Sequence, residues 1–147
     1  LENENADSLI DKNILIIGYG RIAKALHRLL AAYGSNITVC SRSAESAELS
    51  NFYGASHIYF PELKKKNDFD IVINTVPHIV LTEAELKALK KSVIILDLAS
   101  FPGGADTLVA ASLGLKIING RGMPSKFTAK AAGEAIGCAA DEIIRQL

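Results

Sequence analysis

The chain has 147 residues, 49% hydrophobic and 22% charged, which predicts a single ordered domain, since a domain takes roughly 100–200 residues, and excludes intrinsic disorder. Sixteen Lys and Arg balance sixteen Asp and Glu, so a nucleic-acid or anionic-membrane binder, which needs a cationic surplus, is not expected. No apolar run reaches the ~18 residues of a transmembrane helix, the polar start Leu1-Glu2-Asn3-Glu4-Asn5 does not read as a signal peptide, and Cys40 and Cys138 fit neither a disulfide framework nor a zinc site; a cytoplasmic domain is expected.

Residues 1–10 are polar and precede the first apolar run. They are expected to be the remnant of an interdomain helix, the alternative being a frayed end. Residues 11–147 are expected to form the domain proper. Ile14-Leu15-Ile16-Ile17 is the first predicted strand, and a helix follows over Arg21–Ala32 with Ile22, Ala25, Leu26 and Leu29 on one face and Gly34 as its stop. Ile37-Thr38-Val39-Cys40 is the second strand, with a helix over Ala44–Tyr53 ending at Gly54. His57-Ile58-Tyr59-Phe60 is a weaker strand, and Lys64-Lys65-Lys66 reads as a solvated helix end. Ile71-Val72-Ile73 follows, then Thr82-Glu83-Ala84-Glu85, which has the form of a capping box. Val93-Ile94-Ile95-Leu96, a helix over Thr107–Leu113 and the strand Leu115-Lys116-Ile117-Ile118 continue the alternation, and a last helix is expected over about Thr128–Ile144.

The strand runs are β-branched and unbroken rather than alternating, as expected of strands buried on both faces. Repeated β-α units with short connections predict an α/β fold: a doubly wound, mostly parallel Rossmann sheet of about six strands with helices on both faces.

Ligands of such sheets bind beyond the carboxyl ends of the strands. Gly18-Tyr19-Gly20-Arg21-Ile22-Ala23 follows a strand directly and opens a helix, which is the context of a dinucleotide fingerprint. Gly18 suits the tight turn, Gly20 the approach of a pyrophosphate, and the helix start offers free N–H groups to it. An NAD site usually places an acid about 20 residues on, to hold the ribose 2′-hydroxyl. Here the segment reads Ser41-Arg42-Ser43, with no acid before Glu45. Arg42 is suited to a 2′-phosphate, with Ser41 and Ser43 as added donors, so NADP is expected; the bland alternative is a solvated surface arginine.

Thr75, Val76 and Pro77 are expected to flank the ribose and nicotinamide, with Ala99 and Ser100 passing close by. His78 is a candidate acid, base or substrate ligand, the alternative being an exposed loop histidine. Ser100 and Lys126 are the other catalytic candidates. Arg121 and Lys126 are expected partners for an anionic substrate. Asp97 is expected to accept buried backbone N–H bonds rather than to catalyse. His27 and His57 are expected to be structural. No metal site is expected.

Taken together, Lys12 to Arg21, Arg42-Ser43, Asp70 to Pro77, Asp97-Leu98-Ala99-Ser100 and Pro102-Gly103-Gly104 resemble the dipicolinate synthase family, in its cofactor-binding subunit. Gly122-Met123-Pro124-Ser125-Lys126 and Lys130-Ala131-Ala132-Gly133 resemble that family's Gly-Leu-Pro-Gly-Lys and Lys-Thr-Ala-Gly signatures. Ser125, Ala129, Ala131 and His78 depart from its pattern. The resemblance implies an enzyme of bacterial sporulation that oxidises 4-hydroxy-tetrahydrodipicolinate, a small dicarboxylate, to dipicolinate with NADP. It further implies an N-terminal domain ahead of this one and a flavoprotein-like second subunit; homo-oligomerisation stays open. Two other readings also stand. One is a different NADP dehydrogenase, of 2-hydroxy-acid or methylene-folate type. The other is a non-catalytic regulatory nucleotide-binding domain.

Overall fold

The computed structural model describes residues 9–120. The predicted last helix, Arg121, Lys126 and Cys138 lie outside the described residues, as do residues 1–8. Six strands appear in chain order: β1 (Asn13–Ile17), β2 (Asn36–Cys40), β3 (Ser56–Ile58), β4 (Ile71–Asn74), β5 (Ile94–Asp97) and β6 (Lys116–Asn119). Between them run α1 (Arg21–Ala32), α2 (Ala44–Phe52), a short 3-10 helix (Phe60–Lys65), α3 (Glu83–Ala88) and α4 (Thr107–Ser112). Every strand pairing is parallel, and the sheet order is β3-β2-β1-β4-β5-β6. The chain therefore winds outward in one direction from β1 and, after crossing back, in the other from β4, as the β-α alternation predicts.

The unbroken apolar runs are explained by two cores, one on each face. Ile14 and Ile16 of β1, with Ile71 and Ile73 of β4, pack with Ala23, Leu26 and Leu30 of α1. Leu15, Ile17 and Val72 point the other way, to Leu63, Leu86 and Ala110 from the 3-10 helix, α3 and α4. Successive side chains of a strand alternate faces, so a sheet covered on both sides needs an apolar residue at each position. Each fully buried Ile or Leu contributes about 1.5–3 kcal/mol. Among the described residues no helix is long and apolar enough to cross a membrane.

The amino-terminal approach is docked. Leu9 is buried, its carbonyl accepts from the Ser35 hydroxyl at 2.7 Å, and the Asp11 N–H donates to the Gly34 carbonyl at 2.9 Å. At the same end of the sheet the Asp70 carboxylate receives the Lys90 ammonium at 2.5 Å and the Asn13 N–H at 2.8 Å. Burial opposes its ionisation, but these two donors outweigh it and hold the carboxyl below the usual range.

Candidate functional site

The sheet order places the switch of winding direction between β1 and β4, and it is beyond the carboxyl ends of the strands at such a switch that open α/β sheets bind ligands. Gly18 closes β1 with φ +88°, a conformation that glycine adopts without steric cost. Its N–H donates to the Cys40 carbonyl at 2.8 Å. A Cβ at Gly18 would stand 2.6 Å from Thr75 Oγ1 and 2.8 Å from Val76 Cγ2. Thr75 in turn donates to the Ile17 carbonyl through both its N–H and its hydroxyl. Gly18, Thr75 and Val76 thus form one packed corner, and only a residue without a side chain fits at its centre.

Gly20 differs. A Cβ there would meet nothing within 4 Å. Gly20 is the N-cap of α1, makes no side-chain cap bond, and is followed by no acid in the first turn. The other helices start differently: the Ser43 hydroxyl accepts from Ser46 N–H at α2, the Glu85 carboxylate accepts from Thr82 N–H at α3, and Asp106 accepts from Leu108 and Val109 N–H at α4. The leading N–H groups of α1 therefore have no side-chain cap, next to open space, where an anion would complete them.

At the end of β2, Ser41 is buried, and its hydroxyl lies 2.8 Å from His57 Nε2. The Ser43 hydroxyl is bonded to both the N–H and the hydroxyl of Ser46. Arg42, between them, is exposed, and no ion pair among the described residues involves it. Of the three residues expected at a 2′-phosphate, Arg42 is the one that the fold leaves facing solvent with a charge to offer. Cys40 is buried; burial, aided by Glu62, pushes its thiol up to about 12, so it is a neutral packing group.

On the β4–β5 side a buried polar network sets the loops. Asn74 and Asp97 are register partners at the ends of adjacent strands. Asn74 Nδ2 donates to Asp97 Oδ1 at 2.9 Å and to the Val76 carbonyl at 2.9 Å, and Asn74 Oδ1 accepts from Val76 N–H. Asp97 also accepts from the N–H groups of Ala99 and Gly104. It is a buried acceptor, as expected. The partnership with Asn74 is not apparent along the sequence; its only trace is a polar residue ending each of two adjacent apolar runs. Ala99 is buried, whereas Ser100, Pro77 and His78 are exposed on the loops. His27, expected to be structural, is buried and lies with Nδ1 2.8 Å from the Tyr19 hydroxyl. No group of three or more His, Cys, Asp or Glu residues among the described residues could hold a metal ion.

The corner at Gly18, the open position at Gly20 and the uncapped start of α1 fit a dinucleotide with its pyrophosphate on the helix terminus. Comparison with known proteins agrees. Residues 2–100 match the family described as D-isomer specific 2-hydroxyacid dehydrogenase, NAD binding domain. A dipicolinate synthase subunit of Bacillus subtilis (strain 168) is 31% identical over 135 residues, which is 91% of this chain and 46% of that protein. A shikimate dehydrogenase (NADP(+)) of Methanococcus maripaludis (strain C6) is 33% identical over 139 residues, covering 82% of this chain and 48% of that protein. The crystal structure of a dipicolinate synthase subunit from Bacillus halodurans superposes with a TM-score of 0.80 at 25% identity, over 96% of this chain and 49% of that one. The chain spans about half the length of the curated relatives that it matches. The resemblance to dipicolinate synthase holds in both sequence and fold. A Rossmann sheet, a glycine turn between its first strand and first helix, and a family match over residues 2–100 make this chain a member of the D-isomer specific 2-hydroxyacid dehydrogenase NAD-binding-domain family.

Proposed function

We propose that this chain is the NADP-binding domain of an oxidoreductase of the dipicolinate synthase type. The observation that carries the cofactor assignment is Arg42, an exposed cation with no ion pair among the described residues, at the end of β2 where NAD-specific domains place an acid. A guanidinium there holds a 2′-phosphate by paired charged hydrogen bonds. Gly18, Tyr19, Gly20, Arg21 and Ile22 form the turn that holds the pyrophosphate: Gly18 shapes it, its own N–H being bonded to the Cys40 carbonyl, and the others offer backbone N–H groups. Thr75, Val76, Pro77, Ala99 and Ser100 border the ribose and nicotinamide. Bound NADP supplies the hydride acceptor; the chain's own residues orient it.

The proposed overall reaction converts 4-hydroxy-tetrahydrodipicolinate and NADP to dipicolinate, NADPH, a proton and water. The substrate carries two carboxylates, and Arg121 and Lys126 are the cations proposed to meet them. His78, Ser100 and Lys126 are the candidates for proton transfer. The Bacillus subtilis relative is one subunit of its enzyme, which supports a second subunit for the assembly proposed here, and the reading places the enzyme in the cytoplasm. The shikimate dehydrogenase relative favours a second reading, an NADP dehydrogenase acting on another small hydroxy acid.

Parallel calorimetric titrations with NADPH and NADH test the cofactor. The expected preference for NADPH is tenfold or more, about 1.4 kcal/mol, and Arg42→Glu should abolish that preference while sparing NADH. Equal losses for both cofactors in the variant would remove the 2′-phosphate role. Turnover of shikimate or a 2-hydroxy acid, with none of 4-hydroxy-tetrahydrodipicolinate, by the protein with its second subunit would decide for the second reading.

A further inference from the structure

His27 is a buried imidazole that neither the cofactor contacts nor the proposed reaction uses. It lies on the inner face of α1, 2% exposed, among Ala23, Leu26 and Leu30. Its Nδ1 is 2.8 Å from the hydroxyl of Tyr19, and the two rings are tilted by 49° with centroids 5.9 Å apart. Tyr19 stands between Gly18 and Gly20, the two most conformationally free residues of the nucleotide turn. We infer that His27 is a positioning residue for the cofactor: through the Tyr19 hydroxyl it fixes the Gly18-Tyr19-Gly20 turn in the conformation that presents its backbone to the pyrophosphate. The inference rests on the dinucleotide reading of this site, and not on the choice between NADP and NAD.

Three observations support it. First, the backbone at either side of Tyr19 is already anchored. The Gly18 N–H is bonded to the Cys40 carbonyl, and the Gly20 carbonyl receives the Lys24 N–H at 2.9 Å. Tyr19 is the remaining free joint, and its side chain is turned into the core rather than out to solvent. The tether spans eight residues, so it couples the turn to the second turn of the helix behind it.

Second, packing alone does not call for these residue types. A phenylalanine and a leucine would fill the same space, and replacing both partners of a buried hydrogen bond by apolar groups is close to neutral for stability. A polar pair does add a defined direction, because the bond holds only over a narrow range of distance and angle.

Third, the charge states suit the bond. Burial, aided by Arg28, lowers the imidazole pKa and keeps it neutral, and burial raises that of the Tyr19 phenol despite Arg28. In the Nε2–H tautomer a neutral Nδ1 accepts the phenolic hydrogen. The Lys24 ammonium, 5.7 Å from the Tyr19 ring centroid, covers the outer side of the same ring.

The test compares the chain with Tyr19→Phe, His27→Leu, His27→Asn and the Tyr19→Phe/His27→Leu double variant. Each is titrated with NADPH, NADH and adenosine 2′-monophosphate, which carries the 2′-phosphate but no pyrophosphate. Tyr19→Phe and His27→Leu should each weaken both dinucleotides about tenfold, the worth of one directed buried hydrogen bond. The double variant should lose no more than either single one. His27→Asn, which keeps a bonding atom near Nδ1, should recover most of the affinity. Adenosine 2′-monophosphate should bind all of them alike.

Unchanged dinucleotide affinity in Tyr19→Phe with a lowered melting temperature would overturn the inference and leave a core pair. So would a parallel loss of adenosine 2′-monophosphate, which marks damage to the whole domain. Tyr19→Phe keeps the ring and removes one oxygen, so its result stands even where a His27 variant fails to fold. Failure of the unaltered chain to bind either dinucleotide would overturn the site reading, and this inference with it. Equal binding of NADPH and NADH would overturn only the Arg42 assignment.

Discussion

Gly20 and Gly104 are glycines for opposite reasons. A Cβ at Gly104 would fall 1.9 Å from Asn74 Nδ2 and 2.2 Å from its Cγ. Asn74 cannot yield, because its amide is bonded to Asp97 and twice to the Val76 backbone. Gly104→Ala should therefore cost stability by the upper part of the overpacking range, about 3 kcal/mol or more, read as a lowered denaturant midpoint. At Gly20 a Cβ meets only open space. Gly20→Ala should leave the melting temperature close to that of the parent and still weaken NADPH binding, because the methyl occupies the volume that a pyrophosphate needs. Equal affinity for NADPH in the parent and the Gly20→Ala variant would move the phosphate site away from this turn.

At the scale of elements, the starts of the helices separate structure from function. Asp106 caps α4 with two accepted N–H bonds; Asp106→Ala should cost about 1 kcal/mol, with no greater loss of NADPH affinity than of stability. At α1 the first turn carries Arg21 and no acid. An acid there would favour the helix by about 0.3–1 kcal/mol through its dipole, yet it would repel a phosphate. Arg21→Glu should thus hold or raise the melting temperature and lower NADPH affinity, two readouts moving in opposite directions. Such patterns were largely legible in the chain. Five apolar runs, the glycine stops at Gly34 and Gly54, and the Thr82–Glu85 box all mark elements whose cause is local. The weaker run His57-Ile58-Tyr59-Phe60 marks β3 only in part: the strand is Ser56–Ile58, and Tyr59 and Phe60 instead open the 3-10 helix. What the chain hid was non-local. Asn74 meets Asp97 across 23 residues because β4 and β5 become neighbours, and Ser41 meets His57 because β2 and β3 do. The spacing of β-branched residues shows which segments become strands; the side-chain pairs at strand ends depend on which strands lie side by side, and in what register.

For the whole molecule, the buried His27 and the half-buried His57 set the first response to acid. Burial lowers the pKa of His27, aided by Arg28, and lowers that of His57 against an opposing pull from Glu62. The unfolded chain keeps both near 6.5, so on acidification it takes up protons before the folded chain does. Stability then rises with pH across the window between the lowered folded values and about 6.5, and it falls as pH drops through that window. The carboxylates act later and in a separate range. Asp70 and Glu85 are held low against burial, Asp70 chiefly by Lys90 and Glu85 chiefly by the Thr82 hydroxyl. The stability they add is complete above their unfolded values of 3.8 and 4.5, and it is lost only as pH falls through the lower folded ones. Thermal melts should therefore show a first decline as pH falls below about 6.5 and a second in stronger acid. His27→Asn should reduce the first to the share of His57, and Lys90→Met should reduce only the second. Saturating NADPH binds the folded chain alone, and at 100 times its Kd it adds about 2.7 kcal/mol. If His27 acts on the turn, that protection should shrink through the first window in the parent and keep its size in His27→Asn, because in the parent alone a proton on Nδ1 turns an acceptor into a donor and reverses the bond to the Tyr19 hydroxyl. Equal protection by NADPH at both ends of the window would confine His27 to the core.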